Sequence, residues 1–237
     1  ALSGCLRELG VEVRLHMEAD SLIVEDGVCR GVVLKKGGER LYADWVVVAT
    51  GGLSYPSTGS TGDGYRWARA LDLKVTELSP ALVPFEVEEE EDARALQGLS
   101  LRNVEAAVYQ GKRLLYREQG EMLFTHFGVS GPLMLTASSF GAKALKKSPL
   151  ALIIDLKPAL TMEQLDARIM RDCSEVPNKR FKNALDKLYP AKLIPVIVRR
   201  SGIDPEKQVN AITKGERLGL CEVTKGFSFT LTGLRGF

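Results

Sequence analysis

The segment from Val46 to Tyr65, VVVATGGLSYPSTGSTGDGY, constrains this chain more than any other. It runs from an apolar stretch through two glycines into a loop of small residues, then into helix-forming sequence. Glycine recurs at Gly51, Gly52, Gly59, Gly62 and Gly64. Such residues accept positive φ and let another group approach the backbone where a Cβ would stand. Amides at a helix N-terminus also favour negative charge. The pattern in TGSTGDG is G-x-x-G-x-G, which is neither the dinucleotide fingerprint G-x-G-x-x-G nor a Walker A loop, since no Lys-Ser or Lys-Thr follows. On these residues alone, a ligand-touching loop and an ordinary turn capped by Asp63 both stand open.

The flanking sequence places this loop late in an α/β unit. Leu2, Leu6 and Leu9 are spaced for one apolar helical face, and Gly10 is placed to end that helix. VEVRLHM alternates as a strand. Three strands follow over DSLIVEDGVCRGVVLKKGGERLYADWVVVAT, with hairpin turns at Asp26-Gly27 and Gly37-Gly38. The last, WVVVAT, is a continuous apolar run and predicts a strand buried on both faces. Asp63 is expected to cap a short helix over DGYRWARALDL. Helix-then-strand at the N-terminus, and FSFTLTGLRGF at the other end with no closing turn, predict that the chain is an internal piece of a longer protein.

From Lys74 to about Ala159 the chain reads as strand-rich. ALVPFEVE, LRNVEAAVYQ, KRLLYREQGEMLFT and LALIIDLK are the strands, and GPLMLTASSFGAKALKK is a helix with Pro132 in its first turn. The acidic run from Glu86 to Arg94 reads as a solvated loop, with an acidic interaction patch as the other reading. From Thr161 the pattern turns helical, beginning with a capping box, Thr161 to Gln164. Short helices are expected over KRFKNALDKLY, AKLIPVIVRRSG and DPEKQVNAITKGERLGLCEV. The division is residues 1–75, a partial α/β domain, 76–159, a strand block completed by 222–237, and 160–221, a helical subdomain. The fold class is α+β and multidomain.

Charge narrows the partners. A formal net charge of +2 supplies no strong field, so neither nucleic acid nor an anionic membrane is expected as a partner. No apolar run approaches the roughly 20 residues of a membrane span. Cys5, Cys29, Cys173 and Cys221 form no CxxC pair, and His16 and His126 are the only histidines, which argues against zinc. Reduced thiols and a cytoplasmic location are the expectation.

Three stretches together, VVVATGGLSYPSTGSTGDGYRWARAL, SPALVPFEV and GEMLFTHFGVSGPLMLTASS, resemble the HI0933-like flavoproteins, also called the aminoacetone-oxidase-like or BaiN-like FAD-binding enzymes. The resemblance covers most of the chain through Ser139 and returns at FTLTGLRGF. It implies a flavin-dependent oxidoreductase whose two-dinucleotide-type α/β FAD-binding domain, truncated here to a partial FAD-binding domain over residues 1–75, is interrupted by an inserted β-barrel over 76–159, completed by 222–237, and a small helical subdomain over 160–221. It also implies that the family's early phosphate loop and late flavin-wrapping segment lie outside these residues, so that this chain alone holds FAD weakly or not at all.

By that resemblance Ala49, Thr50, Gly51 and Gly52 lie against FAD, and Thr58, Gly59, Ser60, Thr61, Gly62, Asp63 and Gly64 lie near the flavin or its pyrophosphate, with the Gly62 and Gly64 amides facing the cofactor. Backbone around Ala19 meets the adenine. For catalysis the candidates are His126, which could handle a substrate proton, Ser130, which could bond a substrate oxygen, and Tyr55. Each has a plainer reading: His126 satisfying a buried turn, Ser130 capping the helix that Pro132 opens, and Tyr55 packing at a domain edge. A small organic molecule is the expected substrate and NAD(P)H a plausible electron donor. The rival reading is a non-enzymatic flavin- or nucleotide-binding module.

Overall fold

In the computed structural model, which describes residues 2–235, the chain divides into two compact units, residues 2–77 and 78–235. Each is built around its own sheet.

The first unit holds an antiparallel meander of β1 (Ala19–Glu25), β2 (Val28–Leu34) and β3 (Arg40–Tyr42) in sequential order. Asp26 and Gly27 turn the first hairpin with φ of 50° and 75°, the conformation that Asp-Gly favours in a two-residue loop. Gly37 and Gly38, with φ of 80° and 65°, make the second turn. Helix α1 (Leu2–Glu8) precedes the meander and stops at Gly10, whose φ is 69°. Helix α2 (Asp63–Ala70) is fastened to the meander by Trp67, which is 7% exposed and donates its indole N–H to the Asp20 carbonyl at 2.6 Å.

Two expected strands of this unit are not strands. Residues 11–17 and 45–50 pair with no ladder, and Trp45 and Val47 are 89% and 87% exposed. The physical reason is the one that made WVVVAT look buried. A continuous apolar strand needs a neighbouring strand on each edge and a layer on each face, and no strand among the described residues pairs with it. The third strand of the meander is instead the short Arg40–Tyr42 segment.

The second unit is a closed barrel of six strands, β4 (Phe85–Val87), β5 (Ser100–Gln110), β6 (Arg113–Thr125), β7 (Gly128–Ser130), β8 (Leu150–Asp155) and β9 (Phe227–Leu234). Around the barrel they run β4-β7-β6-β5-β8-β9, and β9 closes it by pairing with both β8 and β4. Closure removes the exposed edges that an open sheet of this length would present. Alternate residues of the strands point inward: Leu150, Leu152 and Ile154 of β8 and Phe227, Phe229 and Leu231 of β9 are almost completely buried. Phe124 and Phe229 meet at 5.4 Å between ring centroids. Helix α4 (Pro132–Leu145) packs on β5 through β9, and Gly141 admits the Phe85 ring, whose Cζ would lie 3.3 Å from an added Cβ.

Between β8 and β9 the chain makes its helical excursion: α5 (Met162–Ser174), α6 (Ile194–Ser201) and α7 (Lys214–Lys225). Capping boxes open two of them. Thr161 accepts from the Gln164 amide at 3.2 Å and Thr213 from the Glu216 amide at 3.2 Å, and each N3 side chain bonds back. The expected helix over KRFKNALDKLY shrinks to one 3-10 turn, Phe181–Asn183, and another such turn spans Val209–Ala211. Lys225 ties α7 to the barrel's exit by donating to the carbonyls of Lys157 at 3.1 Å and Leu160 at 2.7 Å.

The acidic run differs most from expectation. Residues Glu90–Leu96 form a helix, α3, whose Ala93 and Leu96 are fully buried. Asp92 is 9% exposed and forms ion pairs with Arg199 and Arg200 of α6. Arg200 also lies 4.4 Å and 4.5 Å from the centroids of Phe227 and Phe229 and donates to the Ser228 carbonyl at 2.6 Å. A run of five acidic residues, Glu88 to Asp92, is read from its charge as solvated, whereas helical periodicity turns the fifth of them inward.

Candidate functional site

The glycine-rich loop is folded upon itself. The Gly62 N–H donates to the Gly52 carbonyl at 3.0 Å, which joins the double glycine directly to the start of α2. Three of the glycines are explained by neighbours within the loop. A Cβ on Gly51 would lie 2.7 Å from Ser60 Oγ, on Gly62 2.7 Å from Leu53 Cδ2, and on Gly64 3.1 Å from Thr50 Oγ1 and 3.3 Å from Val48 Cγ1. Gly51, Gly59 and Gly62 also have φ of 72°, 95° and 82°, which L side chains adopt at a cost. What comes so close to this backbone is the loop itself at three points.

Asp63 is not the N-cap. Gly62 occupies that position, and its carbonyl accepts the Tyr65 and Arg66 amides, both at 3.1 Å. Asp63 stands in the first turn, where its carboxylate accepts from Thr61 Oγ1 at 3.0 Å and from Arg66 at 2.8 Å. A carboxylate there complements the helix dipole without capping it. The Gly62 amide, expected to face the cofactor, is engaged by Gly52.

The structure therefore brings together Thr50, Gly51, Gly52, Ser60, Gly62 and Gly64. Ala49, Gly51, Thr58, Gly59 and Thr61 form its exposed crest. Thr58 donates its hydroxyl to the Tyr55 carbonyl at 2.8 Å, which holds the 3-10 turn Pro56–Thr58. Tyr55 is 62% exposed. Around Ala19 the backbone is already occupied: Ala19 pairs with Leu34, the Glu18 carbonyl accepts from Lys35 at 2.9 Å, and Asp20 accepts from Trp67.

As a surface for FAD this loop offers exposed small residues and hydroxyls, with Leu53 and Tyr55 also exposed among them. It contains no Lys or Arg between Val46 and Tyr65 to meet a pyrophosphate. Contact with FAD here would run through backbone groups and hydroxyls rather than a cationic side chain.

The remaining candidates belong to the barrel unit. His126 is exposed in the turn between β6 and β7, edge-on to Phe127 with centroids 5.0 Å apart. It does not satisfy a buried turn, because the Gly128 amide is met instead by Thr125 Oγ1 at 3.1 Å. Ser130 is half-buried at the end of β7 opposite Leu123. It does not cap α4, whose N-cap is Gly131 with φ of 88° and no side-chain hydrogen bond. Both plain readings of these two residues thus fail on geometry.

The cysteines are free thiols. Burial raises Cys173, and burial with the nearby Asp166 pushes Cys221 up to about 11, so neither is a ready nucleophile. Among the described residues no group of three His, Cys, Asp or Glu side chains is arranged to hold a metal ion. Among the described residues no helix is long and apolar enough to cross a membrane.

Sequence reasoning missed the Asp92–Arg200 pair and the half-buried Lys157. Only the helical spacing of Glu89, Asp92, Ala93 and Leu96 signals the former. Nothing local signals the latter, because its environment is assembled from β5 and the helical excursion.

Comparison with known proteins adds the family. Residues 79–237 match the model described as HI0933-like protein barrel and H2TH domain. The chain is 27% identical over 233 residues to a 3-dehydro-bile acid delta(4,6)-reductase of Clostridium scindens, covering 98% of this chain and 56% of that protein. It is 31% identical over 193 residues to a ribosomal RNA dihydrouridine synthase of Haemophilus influenzae, covering 81% of this chain and 45% of that protein. A ribosomal RNA dihydrouridine synthase of Escherichia coli is 27% identical over 229 residues, covering 96% of this chain and 53% of that protein. The chain spans about half the length of these relatives. With a closed six-stranded barrel interrupted by capped helices, and a family model that covers the whole of it, this chain belongs to the HI0933-like family.

Proposed function

We propose that this chain is part of a flavin-dependent oxidoreductase, with FAD as cofactor, NAD(P)H as electron donor and a small organic molecule as substrate. The observation that carries the reading is family membership across the barrel, joined to a loop at Ala49–Gly64 rich in exposed small residues. The reductase name borne by the Clostridium scindens relative supports the reaction class. When bound, FAD supplies transfer of a hydride or an electron pair.

The chain's own residues orient and shape. The Gly62–Gly52 hydrogen bond and the Trp67 anchor fix the loop on the meander, so its crest is presented by a braced element. Ala49, Gly51, Gly59 and Thr61 give backbone and hydroxyl contacts. His126, whose imidazole is exposed, is the candidate for exchanging a proton with the substrate.

Two relatives named ribosomal RNA dihydrouridine synthase favour a second reading, in which the substrate is RNA. The test is anaerobic reduction of the FAD-reconstituted parent protein by NADPH, followed by reoxidation with a bile-acid-type enone or with uridine-containing RNA. Reoxidation by the enone supports the first reading and by the RNA the second. A protein that takes up no FAD overturns both. These 237 residues alone lack a cation in the loop for the pyrophosphate. Titration of the isolated chain with FAD is expected to show binding weaker than micromolar.

A further inference from the structure

The barrel has one seam. Strand β8 pairs with β5 only as far as Asp155 opposite Glu105, and then leaves for the helical excursion. Strand β5 continues to Ser100 without that partner. On its other edge the ladder with β6 shifts register between Leu101 and Val104, so Arg102 and Asn103 form a bulge. Bulges re-aim side chains and leave backbone groups outside the ladder. At this seam lies a cleft of about 180 Å³, floored by Leu156 and Leu193 and lined by Ser100, Arg102, Asn103 and Lys157.

The charges in the cleft are unbalanced. Lys157 is half-buried, and no carboxylate pairs with its ammonium among the described residues. Asp155, two residues away, is taken by Lys225 and by the Lys157 backbone amide, the latter at 2.9 Å. Arg168, which adds positive charge nearby, spends its own partner Asp172 at 3.1 Å. Burial, and then Arg168, hold the Lys157 ammonium below the ordinary lysine value, as befits a cation without a counter-ion. Several other cations of the excursion are matched: Arg180 and Lys182 to Glu206, Lys187 to Glu175, Lys207 to Glu216 and Arg217 to Asp166. The formal net charge of the whole chain hides this local excess.

We infer that the cleft at the β5–β8 seam is a binding site for a phosphate group, held by Lys157 and Arg102 with Ser100 and Asn103 as further donors. Two cations match the charge of a phosphate, and a guanidinium, an ammonium, a hydroxyl and an amide supply more donors than a carboxylate would use. The cleft opens along a strand edge, so the group can be esterified. This site lies within the barrel unit and stands whichever substrate the flavin chemistry serves.

The site is tested by titrating the 237-residue chain with inorganic phosphate by calorimetry, with acetate as control, in the wild type and in Lys157→Ala, Lys157→Arg and Arg102→Ala. Phosphate is expected to bind the wild type, to lose at least about tenfold in affinity in Lys157→Ala, and to be retained in Lys157→Arg. Arg102 is exposed, so its replacement keeps the test valid if Lys157→Ala melts early. The source follows from two further ligands, a short oligouridylate and glycerol phosphate: the one whose affinity falls with Lys157→Ala carries the phosphate. Absence of phosphate binding, equal binding by all variants, or acetate binding as tightly as phosphate overturns the inference.

Discussion

Three glycines of the loop separate two physical effects that are usually confounded. Gly59 has φ of 95° and nothing within 4 Å of a built Cβ, so Gly59→Ala meets backbone strain alone. The left-handed region costs about 1–2 kcal/mol, offset by about 0.4–1 kcal/mol from a stiffer unfolded chain, which leaves a net loss of about 1 kcal/mol. Gly62 has φ of 82° and adds the Leu53 methyl at 2.7 Å. Leu53 is 52% exposed and has room to turn, at about 0.5–1.5 kcal/mol for leaving its rotamer. Gly62→Ala should therefore lose about 2 kcal/mol. Gly64 lies inside α2 and meets Thr50 Oγ1 at 3.1 Å. There alanine gains up to about 1 kcal/mol of helix propensity against a displacement of a few tenths of an ångström, so Gly64→Ala should stay near neutral. The readout is unit-specific, because both tryptophans, Trp45 and Trp67, lie in residues 2–77 and only Trp67 is buried. Urea unfolding followed by tryptophan fluorescence should order the midpoints Gly64→Ala, Gly59→Ala, Gly62→Ala from highest to lowest. A Gly64→Ala midpoint as low as that of Gly62→Ala, or a neutral Gly59→Ala, refutes the self-packed loop.

Two further outcomes follow from charges. Glu216, bonded first by Lys207 and then by the Thr213 amide and hydroxyl, is held at about 2 against an ordinary 4.5. A depressed carboxyl contributes stability that is full above about 4.5 and is lost as pH falls toward about 2, so Glu216→Gln should flatten the acid limb of the thermal midpoint against pH. Asp92→Ala strands Arg200, whose side chain is 20% exposed, and should cost about 3 kcal/mol in urea unfolding. The double replacement Asp92→Leu with Arg200→Met should recover most of that loss, and no recovery would show that the pair stabilises beyond its own desolvation.

The elements most legible in sequence were those whose signal is local. The Asp26-Gly27 turn, the Thr161–Gln164 capping box and the alternation of LALIID each specify geometry within a few residues. The failures at VEVRLHM and WVVVAT have one cause: a strand exists only with a partner, and no apolar run announces which partner it has. Strand β7, three residues long, was missed because its pairing with β4 and β6 lies entirely in tertiary context. At the candidate site the composition of the loop was legible, but its internal bonding was not. Asp63 reads as a cap until Gly62, with its left-handed φ, is seen in that position. Lys157 was illegible because solvation, not sequence, makes it unusual.

The motif THFGVSGP joins both kinds of signal, and its residues can be separated by experiment. Strand β7 is wedged between β4 and β6, and Gly128 lets the Phe85 carbonyl pass, since a Cβ would lie 2.2 Å from that oxygen. Gly131 has φ of 88°, and its Cβ would meet the Leu123 amide nitrogen at 2.9 Å and Met122 Cα at 3.0 Å, both backbone atoms that cannot rotate away. Gly131→Ala therefore combines left-handed strain with displacement of a ladder strand and should cost about 2–4 kcal/mol. His126, exposed at the tip of the same hairpin, should tolerate glutamine within about 0.5 kcal/mol. If the proposed flavin-dependent activity holds and the imidazole moves a proton, the same His126→Gln change in the FAD-loaded protein should lower turnover with flavin content unchanged. The glycines then belong to barrel closure and the histidine to whatever meets the hairpin. A stable Gly131→Ala variant, or a barrel that melts early on loss of His126, would reverse that assignment.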